Sequence, residues 1–293
     1  MRRTFLKRVG EMIRNEEDTV FYTVDMGMWA LREELKDFPE RCKNIGIFED
    51  GMLSMVAGMS KRGIVATIFG IQPYLIDRTL EQIKMDFAYQ KLGVNIVGTG
   101  AAVDYSKYGY SHYCPEDVQL VKMIPGCEFV APGSAKQFLQ LFNAAYRDGK
   151  PTFYRISDHP SSVYDPDVCF GQAKVMKEGK KATVIAVSVM LDMVMSVCAD
   201  QDVTVLYYTT LEPFDYETLS KHCPSKKILV VEPEYEGSLL YDIHHGMGSV
   251  PLQIDTVGFP HEIFRNYGTY QEKMEYYRLT ENSIRTKLDD LIR

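Results

Sequence analysis

Short runs of β-branched and aromatic residues alternate with helical patterns along the whole length of the chain. This alternation is typical of an α/β protein with a mainly parallel sheet. The first half predicts strands over 19–23, 44–48, 64–69, 94–99, 128–131 and 152–156. It predicts helices over 27–38, 51–62, 75–91, 115–123 and 134–148.

A segment without sustained periodicity, residues 157–181, interrupts this alternation and is rich in proline, glycine and charge. It predicts a connection into a second domain. The alternation then restarts, with strands predicted over 183–189, 203–209, 228–233 and 251–257, and helices over 189–200, 215–222, 237–246 and 269–293. We therefore expect two α/β domains, each a mainly parallel sheet flanked by helices, over 1–165 and 181–293. Residues 166–180 are the expected linker.

The composition excludes several classes of protein. The 293 residues carry a net charge of −7 without long blocks of one sign, which argues against a nucleic-acid platform. No apolar run approaches the roughly 18 residues that cross a bilayer, and the first residues do not resemble a secretory signal. Six cysteines without a C-x-x-C pair favour reduced thiols and no metal site. We expect a cytoplasmic protein.

A carboxylate follows the predicted strand 44–48, at Glu49. Ligands of open α/β sheets bind at the carboxyl ends of strands. Between Phe48 and Met52 the Glu49 carboxyl would be poorly solvated and able to share or donate a proton. The alternative is that Glu49 and Asp50 only cap the helix that follows, and local evidence favours the cap.

A loop rich in glycine and tyrosine follows the predicted strand 94–99 and contains His112. Pro115 and Asp117 suit the first turn of the next helix. His112 can act there as an acid, a base or a hydrogen-bonding partner of a substrate, or it is a loop histidine in contact with solvent. No glycine-rich nucleotide-binding motif or nucleophile elbow occurs. The residues alone thus predict a two-domain α/β enzyme with a carboxylate and a histidine at strand ends.

Several motifs, taken in order, resemble the C-terminal half of the transketolase family, which includes 1-deoxyxylulose-5-phosphate synthase. The motif Gly46-Ile-Phe-Glu49-Asp-Gly-Met52 with Ala57-Gly58…Gly63 resembles the family's G-I-x-E-x-x-M…A-G-x-x-x-x-G. The further segments that carry the resemblance are Leu80…Leu92, Gly109-Tyr-Ser111-His112, Pro115-Glu116-Asp117, Ile124-Pro125-Gly126, Lys180…Ala186, Leu211-Glu-Pro213, Val230-Val-Glu232 and Gly258-Phe-Pro260. Their common order and spacing cover nearly the whole chain.

The resemblance implies thiamine diphosphate as the cofactor. A full-length member has a diphosphate-binding domain, a pyrimidine-binding domain and a C-terminal domain. This chain resembles the last two, as a pyrimidine-binding domain over 1–165 and a C-terminal domain over 181–293, and it lacks the G-D-G…N motif for diphosphate and magnesium. The resemblance therefore implies the C-terminal subunit of a split transketolase. We expect an N-terminal diphosphate-binding partner subunit that holds the diphosphate and Mg²⁺, in an α2β2-type assembly.

The resemblance also implies catalytic roles for two residues. Glu49 would hydrogen-bond the aminopyrimidine nitrogen of the cofactor and favour the imino form, which removes the proton from the thiazolium carbon. His112 would face the donor carbonyl and assist proton transfer.

Four residues are expected to bind the cofactor beside Glu49. Leu75 stands where many relatives place a phenylalanine that stacks on the aminopyrimidine, and Phe69 and Tyr74 are nearby candidates for that contact. Arg78 keeps a position where the deoxyxylulose synthases carry arginine.

The substrate end departs from the family. Arg155 keeps a second arginine of the deoxyxylulose synthases, but Asp158 replaces the arginine that grips sugar phosphate in relatives. Together with His112 and His159, these residues are expected to face the substrate. A carboxylate would repel a phosphate dianion, so the sequence predicts an acceptor other than an ordinary aldose phosphate.

Three hypotheses follow. The leading one is a split transketolase-like subunit that transfers a two-carbon ketol or acyl unit, from a ketose or 2-oxo acid donor, to an aldehyde-type acceptor. A β subunit of a 2-oxo acid dehydrogenase first component has the same domain pair, but Ser111-His112-Tyr-Cys does not match its expected H-S-Q-S-like loop. A non-catalytic assembly subunit would have no reason to keep Glu49 in this setting.

Overall fold

Two mainly parallel sheets flanked by helices make up the computed structural model of residues 1–293, and this confirms the predicted fold class. The twelve strands are β1 (Thr19–Thr23), β2 (Cys42–Asn44), β3 (Val65–Ile71), β4 (Val94–Thr99), β5 (Glu128–Val130), β6 (Pro151–Ile156), β7 (Lys174–Lys177), β8 (Thr183–Val187), β9 (Thr204–Tyr208), β10 (Thr210–Glu212), β11 (Lys227–Tyr235) and β12 (Gln253–Phe259).

Most of the helices lie between these strands in the chain, while the first precedes β1 and the last two follow β12. They are α1 (Arg2–Asn15), α2 (Arg32–Asp37), α3 (Glu49–Ser60), α4 (Gln72–Ile76), α5 (Leu80–Gln82), α6 (Asp117–Lys122), α7 (Ala135–Ala145), α8 (Leu191–Cys198), α9 (Tyr216–Lys221), α10 (Leu240–Met247), α11 (Tyr270–Tyr276) and α12 (Glu281–Ile292). None of them combines the length and the apolar composition that crossing a bilayer requires.

The first sheet has the strand order β10-β5-β6-β4-β3-β1-β2. All its neighbours are parallel except β10, which pairs antiparallel with β5. Since β10 comes from the C-terminal half of the chain, that half contributes a strand to the N-terminal sheet. Because the other strands run parallel, their carboxyl ends meet at one edge.

The second sheet has the order β12-β11-β8-β9-β7. Its neighbours are parallel except for β7, which pairs antiparallel with β9. Strand β7 lies within the predicted linker 166–180, so part of that segment belongs to the second sheet. The domain boundaries 1–165 and 181–293 stay predictions.

Apolar packing joins the two sheets. The buried apolar residues form two clusters, of 41 and 36 residues, and each cluster includes residues from both sheets. The first contains Phe21 of β1 and Val184 of β8, and the second contains Ile68 of β3 and Ile185 of β8. The two units therefore share their cores.

Three of the predicted elements are wrong in detail. Of the predicted strand 44–48 only Asn44 is in a strand, and Glu49 begins helix α3 instead of ending a strand. The predicted helix 75–91 is a series of short helical pieces, with a 3₁₀ turn at Asp77–Thr79 and a π-helix at Ile83–Ala88. The predicted helix 269–293 is divided into α11 and α12, since Arg278 has a left-handed backbone (φ +61°).

Candidate active site

The carboxyl-end edge of the first sheet collects most of the predicted site residues. The loop after β2 leads to Glu49, helix α4 after β3 carries Tyr74, and Arg78 follows that helix. The loop after β4 carries His112, and Asp158 follows β6. The parallel topology therefore brings residues that are far apart in the sequence to one face of the molecule.

Local turns fix the position of Glu49. The Asn44 side chain accepts hydrogen bonds from the backbone N–H groups of Asp25 (2.9 Å) and Gly46 (3.2 Å), and Gly46 has a left-handed φ of +74°. The chain thus turns sharply after β2 and enters α3. A Cβ atom at Gly51 would lie only 2.1 Å from the Phe48 ring, so glycine allows Phe48 to fold over the helix start. This arrangement leaves Glu49 just 2% exposed.

A chain of contacts links Glu49 to His112. Arg78 Nη1 donates to Glu49 Oε2 at 2.6 Å, which leaves Glu49 Oε1 without a side-chain partner. The Arg78 guanidinium lies 4.6 Å from the centroid of the Tyr74 ring. The Tyr74 hydroxyl lies 3.5 Å from His112 Nε2, and the two rings meet edge to face. Four predicted residues thus form one continuous group.

Aromatic rings surround the imidazole of His112. The ring of Tyr108 is 5.2 Å from it and that of Tyr105 is 6.4 Å away, measured between centroids. The other ring nitrogen, Nδ1, lies 3.0 Å from Ser111 Oγ. His112 is half-buried, so part of its surface is accessible.

Phe69 and Leu75 do not join this group. Both are fully buried, and the Phe69 ring packs against Phe5 of α1 with 5.2 Å between centroids. Side chains alternate between the faces of a strand, so Phe69 lies on the opposite face of β3 from Ile68. Neither residue has exposed surface in this structure, and their contact with the cofactor stays a prediction.

Arg155 is also buried, and its predicted contact with the substrate stays a prediction. Its side chain is 1% exposed, and its guanidinium lies between two fully buried carboxylates. Nη1 donates to Asp117 Oδ1 at 3.1 Å, and Nη2 donates to Glu234 Oε2 at 2.9 Å. Burial raises the pKa of both carboxyl groups, and the charge of Arg155 works against that rise. The Asp117–Arg155–Glu234 triad joins the two sheets.

Asp158 and His159 lie on the surface beyond β6. The Asp158 backbone N–H donates to Asp104 Oδ2 at 2.8 Å, and the His159 ring stacks on Tyr270 with 3.9 Å between centroids. Burial raises the pKa of Asp104 to about 7. Asp158 is thus held by its backbone, and its side chain is exposed.

Comparison with known proteins identifies the family. The family model described as "Transketolase, pyrimidine binding domain" matches residues 1–159, more than half of the chain. The chain belongs to the transketolase family. Its match to the pyrimidine-binding domain begins at the N-terminal helix and includes Glu49, Arg78 and His112.

Relatives of the same length extend the likeness over both sheets. A subunit of the apulose-4-phosphate transketolase of Phocaeicola vulgatus is 25% identical, over 92% of this chain and 94% of the relative. An uncharacterized 33.6 kDa protein in the fasciation locus of Rhodococcoides fascians is 26% identical, over 96% of this chain and 91% of the relative. A solved structure described as a split gene transketolase, inactive beta4 tetramer, shares the fold with a TM-score of 0.87, at 24% identity over 100% and 99% of the two chains. The likeness of this transketolase-family chain to these proteins therefore covers both sheets and nearly the whole length of each of them.

Sequence reasoning missed several polar residues beside the site. Gln72 Nε2 donates to Asp117 Oδ2 at 3.2 Å, which ties the start of α4 to the start of α6. Asp77, Cys114 and Glu116 also lie together, with side-chain ligand atoms within 4.8 Å of one another. Burial raises the pKa of Asp77 to about 6 and that of Glu116 to about 7, so both carboxyls hold protons part of the time near neutral pH. Their spacing in the sequence gives no signal of this proximity.

Proposed function

We propose that this chain is the pyrimidine-domain subunit of a split, thiamine-diphosphate-dependent transferase. It would move a two-carbon ketol or acyl unit from a ketose or 2-oxo acid to an aldehyde-type acceptor. The observation that carries this proposal is the setting of Glu49. Its carboxylate is almost fully buried at the sheet edge, Arg78 fixes one oxygen, and the other oxygen has no side-chain partner.

The residues around Glu49 fit the pyrimidine end of thiamine diphosphate. A buried carboxylate with a free oxygen can hold a proton on a ring nitrogen, since burial strengthens a charge-assisted hydrogen bond. Tyr74 and Arg78 would line the same side of the cofactor. When bound, the cofactor supplies a nucleophilic carbon that cleaves and forms bonds next to a carbonyl.

His112 would serve the substrate side. Its ring lies 5.6 Å from that of Tyr74, with Nε2 near the Tyr74 hydroxyl, and Tyr105 and Tyr108 enclose it. A half-buried imidazole with hydroxyl neighbours on both nitrogens can give or take a proton at a substrate oxygen. We assign His112 that proton transfer.

A partner chain would complete the site. Large apolar side chains lie exposed at the same edge of the first sheet: Trp29 is 84% exposed, Ile47 73% and Phe48 57%. Exposed apolar groups of this kind mark interaction surfaces. We propose that an N-terminal diphosphate-binding subunit covers them, brings Mg²⁺ and the diphosphate site, and forms an α2β2 assembly. The relative that is named as a transketolase subunit and the split-gene neighbour support this arrangement.

The six unpaired cysteines fit the cytoplasm as the compartment of this protein.

The test is a substitution of Glu49 in the complex reconstituted with the partner. Glu49→Gln should lower kcat by at least about 10²-fold, as expected for a positioned proton-transfer group. Asp50→Asn is the matched control, because Asp50 is the exposed neighbour on the same helical turn. Circular dichroism and thermal melting should show that both variants are folded. Near-normal turnover by Glu49→Gln would refute the proposal.

A further inference from the structure

The loop that carries His112, residues 109–117 (the histidine loop), contacts both halves of the chain, and two of its contacts come from Tyr235 in the second half. The hydroxyls of Tyr110 and Tyr235 lie 3.1 Å apart. The Tyr235 backbone N–H donates to the Pro115 carbonyl at 3.0 Å. Both contacts come from the end of β11, so one residue of the second sheet holds the loop on either side of His112.

Three further residues of the second half pack on the same loop. Phe264 meets the rings of Tyr110 and Tyr113, with 6.2 and 6.3 Å between centroids. Lys273 Nζ lies 4.9 Å from the centroid of the Tyr113 ring. A Cβ atom at Gly109, which has a φ of +85°, would lie 2.7 Å from Tyr267. The loop therefore fits a surface that the C-terminal half provides.

The buried triad extends this support to the cofactor side. Glu234, next to Tyr235, pairs with Arg155, and Arg155 pairs with Asp117 at the end of the histidine loop. Asp117 in turn accepts a hydrogen bond from Gln72, the first residue of the helix that carries Tyr74. The end of β11 is thus linked to both the histidine loop and helix α4, the two segments that bring His112 and Tyr74 within 3.5 Å.

We infer that the end of β11 is a positioning element for the active site, with Tyr235 and Glu234 setting where His112 stands relative to Tyr74. This inference rests on the proposed role of His112. Neither residue touches the group formed by Glu49, Arg78, Tyr74 and His112, so both act through the residues they hold. The C-terminal domain would then take part in catalysis as the support of the histidine loop.

The experiment compares two substitutions that each remove one tyrosine hydroxyl from the second half of the chain. Tyr235→Phe removes the contact with the Tyr110 hydroxyl, the one contact of this hydroxyl with the histidine loop, and also the hydrogen bond that Tyr235 donates to the Glu262 carbonyl at 3.1 Å. Tyr277→Phe is the matched control, because its hydroxyl donates to Asn266 Oδ1 at 2.9 Å and does not touch the histidine loop. Both variants keep the aromatic ring, so both are expected to fold. Glu234→Gln is the stronger variant, and its folding is checked by thermal melting.

Two readouts follow, both on the reconstituted complex. By hydrogen-exchange mass spectrometry, amides of residues 110–114 should exchange about fivefold faster in Tyr235→Phe than in Tyr277→Phe, the effect of one lost hydrogen bond on local opening. kcat should fall about tenfold in Tyr235→Phe alone, while the dissociation constant of thiamine diphosphate stays within about twofold, since only the histidine side is displaced.

The outcomes separate this inference from the proposed function. Equal exchange in the two variants would overturn the idea that Tyr235 holds the loop. Faster exchange with unchanged kcat would overturn the positioning role, although the loop contact would stand. Failure of the proposed function would appear separately, as near-normal turnover of Glu49→Gln. A double variant, Tyr110→Phe with Tyr235→Phe, should be no worse than Tyr235→Phe, and additive losses would contradict the shared contact.

Discussion

The ion pair between Arg78 and Glu49 should stabilise the fold measurably, although Arg78 is partly exposed. Arg78→Met removes the charge and keeps the apolar stem. The variant leaves the Glu49 carboxylate, which is 2% exposed, without its only side-chain partner. Breaking a fully buried pair costs about 3–5 kcal/mol, whereas exposed pairs contribute about 0.2–1 kcal/mol. With a 43% exposed arginine, the loss should lie between these limits, at about 1–3 kcal/mol.

A double-mutant cycle in urea isolates that interaction. Arg78→Met, Glu49→Gln and the double variant are unfolded in parallel. The loss of unfolding free energy in the double variant should be smaller than the two single losses added together, by about 1 kcal/mol or more. Arg293→Met with Asp290→Asn forms the control cycle. That pair is similarly short (2.8 Å) but exposed, with side chains 79% and 62% accessible. The control should give a coupling under about 0.5 kcal/mol. Equal coupling in the two cycles would refute the claim that burial makes the Glu49 pair special.

Two more predictions concern a buried carboxyl and the substrate mouth. Burial, together with the neighbouring Glu234, raises the pKa of Glu232 to about 8. The folded chain therefore keeps a proton that the unfolded chain releases above pH ~4.5. As a result, the free energy of unfolding falls as pH rises towards 8. The glutamine in Glu232→Gln cannot lose a proton. Between pH 5 and 7 the free energy of unfolding of this variant should therefore rise by about 2–3 kcal/mol relative to that of wild type. Parallel curves of stability against pH would contradict this. Asp158→Arg should raise kcat/KM for a phosphorylated aldehyde relative to an uncharged one by about tenfold or more, and an unchanged ratio would exclude Asp158 from acceptor recognition.

The fold was predictable because hydrophobic runs and helical periods alternate over the whole chain. Strands β1 and β4 lie at the predicted residues, since both are buried along their whole length and bounded by turns. The error at 44–48 has a physical cause. Ile47 and Phe48 form an apolar run like that of a buried strand, yet both are exposed, and Gly46 turns the chain. A sequence pattern does not distinguish an apolar residue that is buried in the core from one that lies on the surface where a partner would bind.

The candidate site was predictable where side chains follow strand ends, as for Glu49 and His112. It was not predictable where a role depends on a distant partner. Arg155 looked like an anion-binding residue, but Glu234 lies 79 residues further along the chain and occupies its guanidinium in the fold. Phe69 looked like a stacking residue, but its position on β3 turns its ring towards α1. Neither fact is contained in local spacing.

The most direct test of the central claim is the binding of thiamine diphosphate to the separate chains. Isothermal titration with Mg²⁺ present would use this chain alone, the diphosphate-binding partner alone and their mixture. The account predicts that this chain alone binds weakly or not at all, because it offers only the pyrimidine side around Glu49, and that the mixture binds tightly. Glu49→Gln should weaken binding in the mixture, and Asp50→Asn should not. Tight, magnesium-dependent binding by this chain alone would contradict the account.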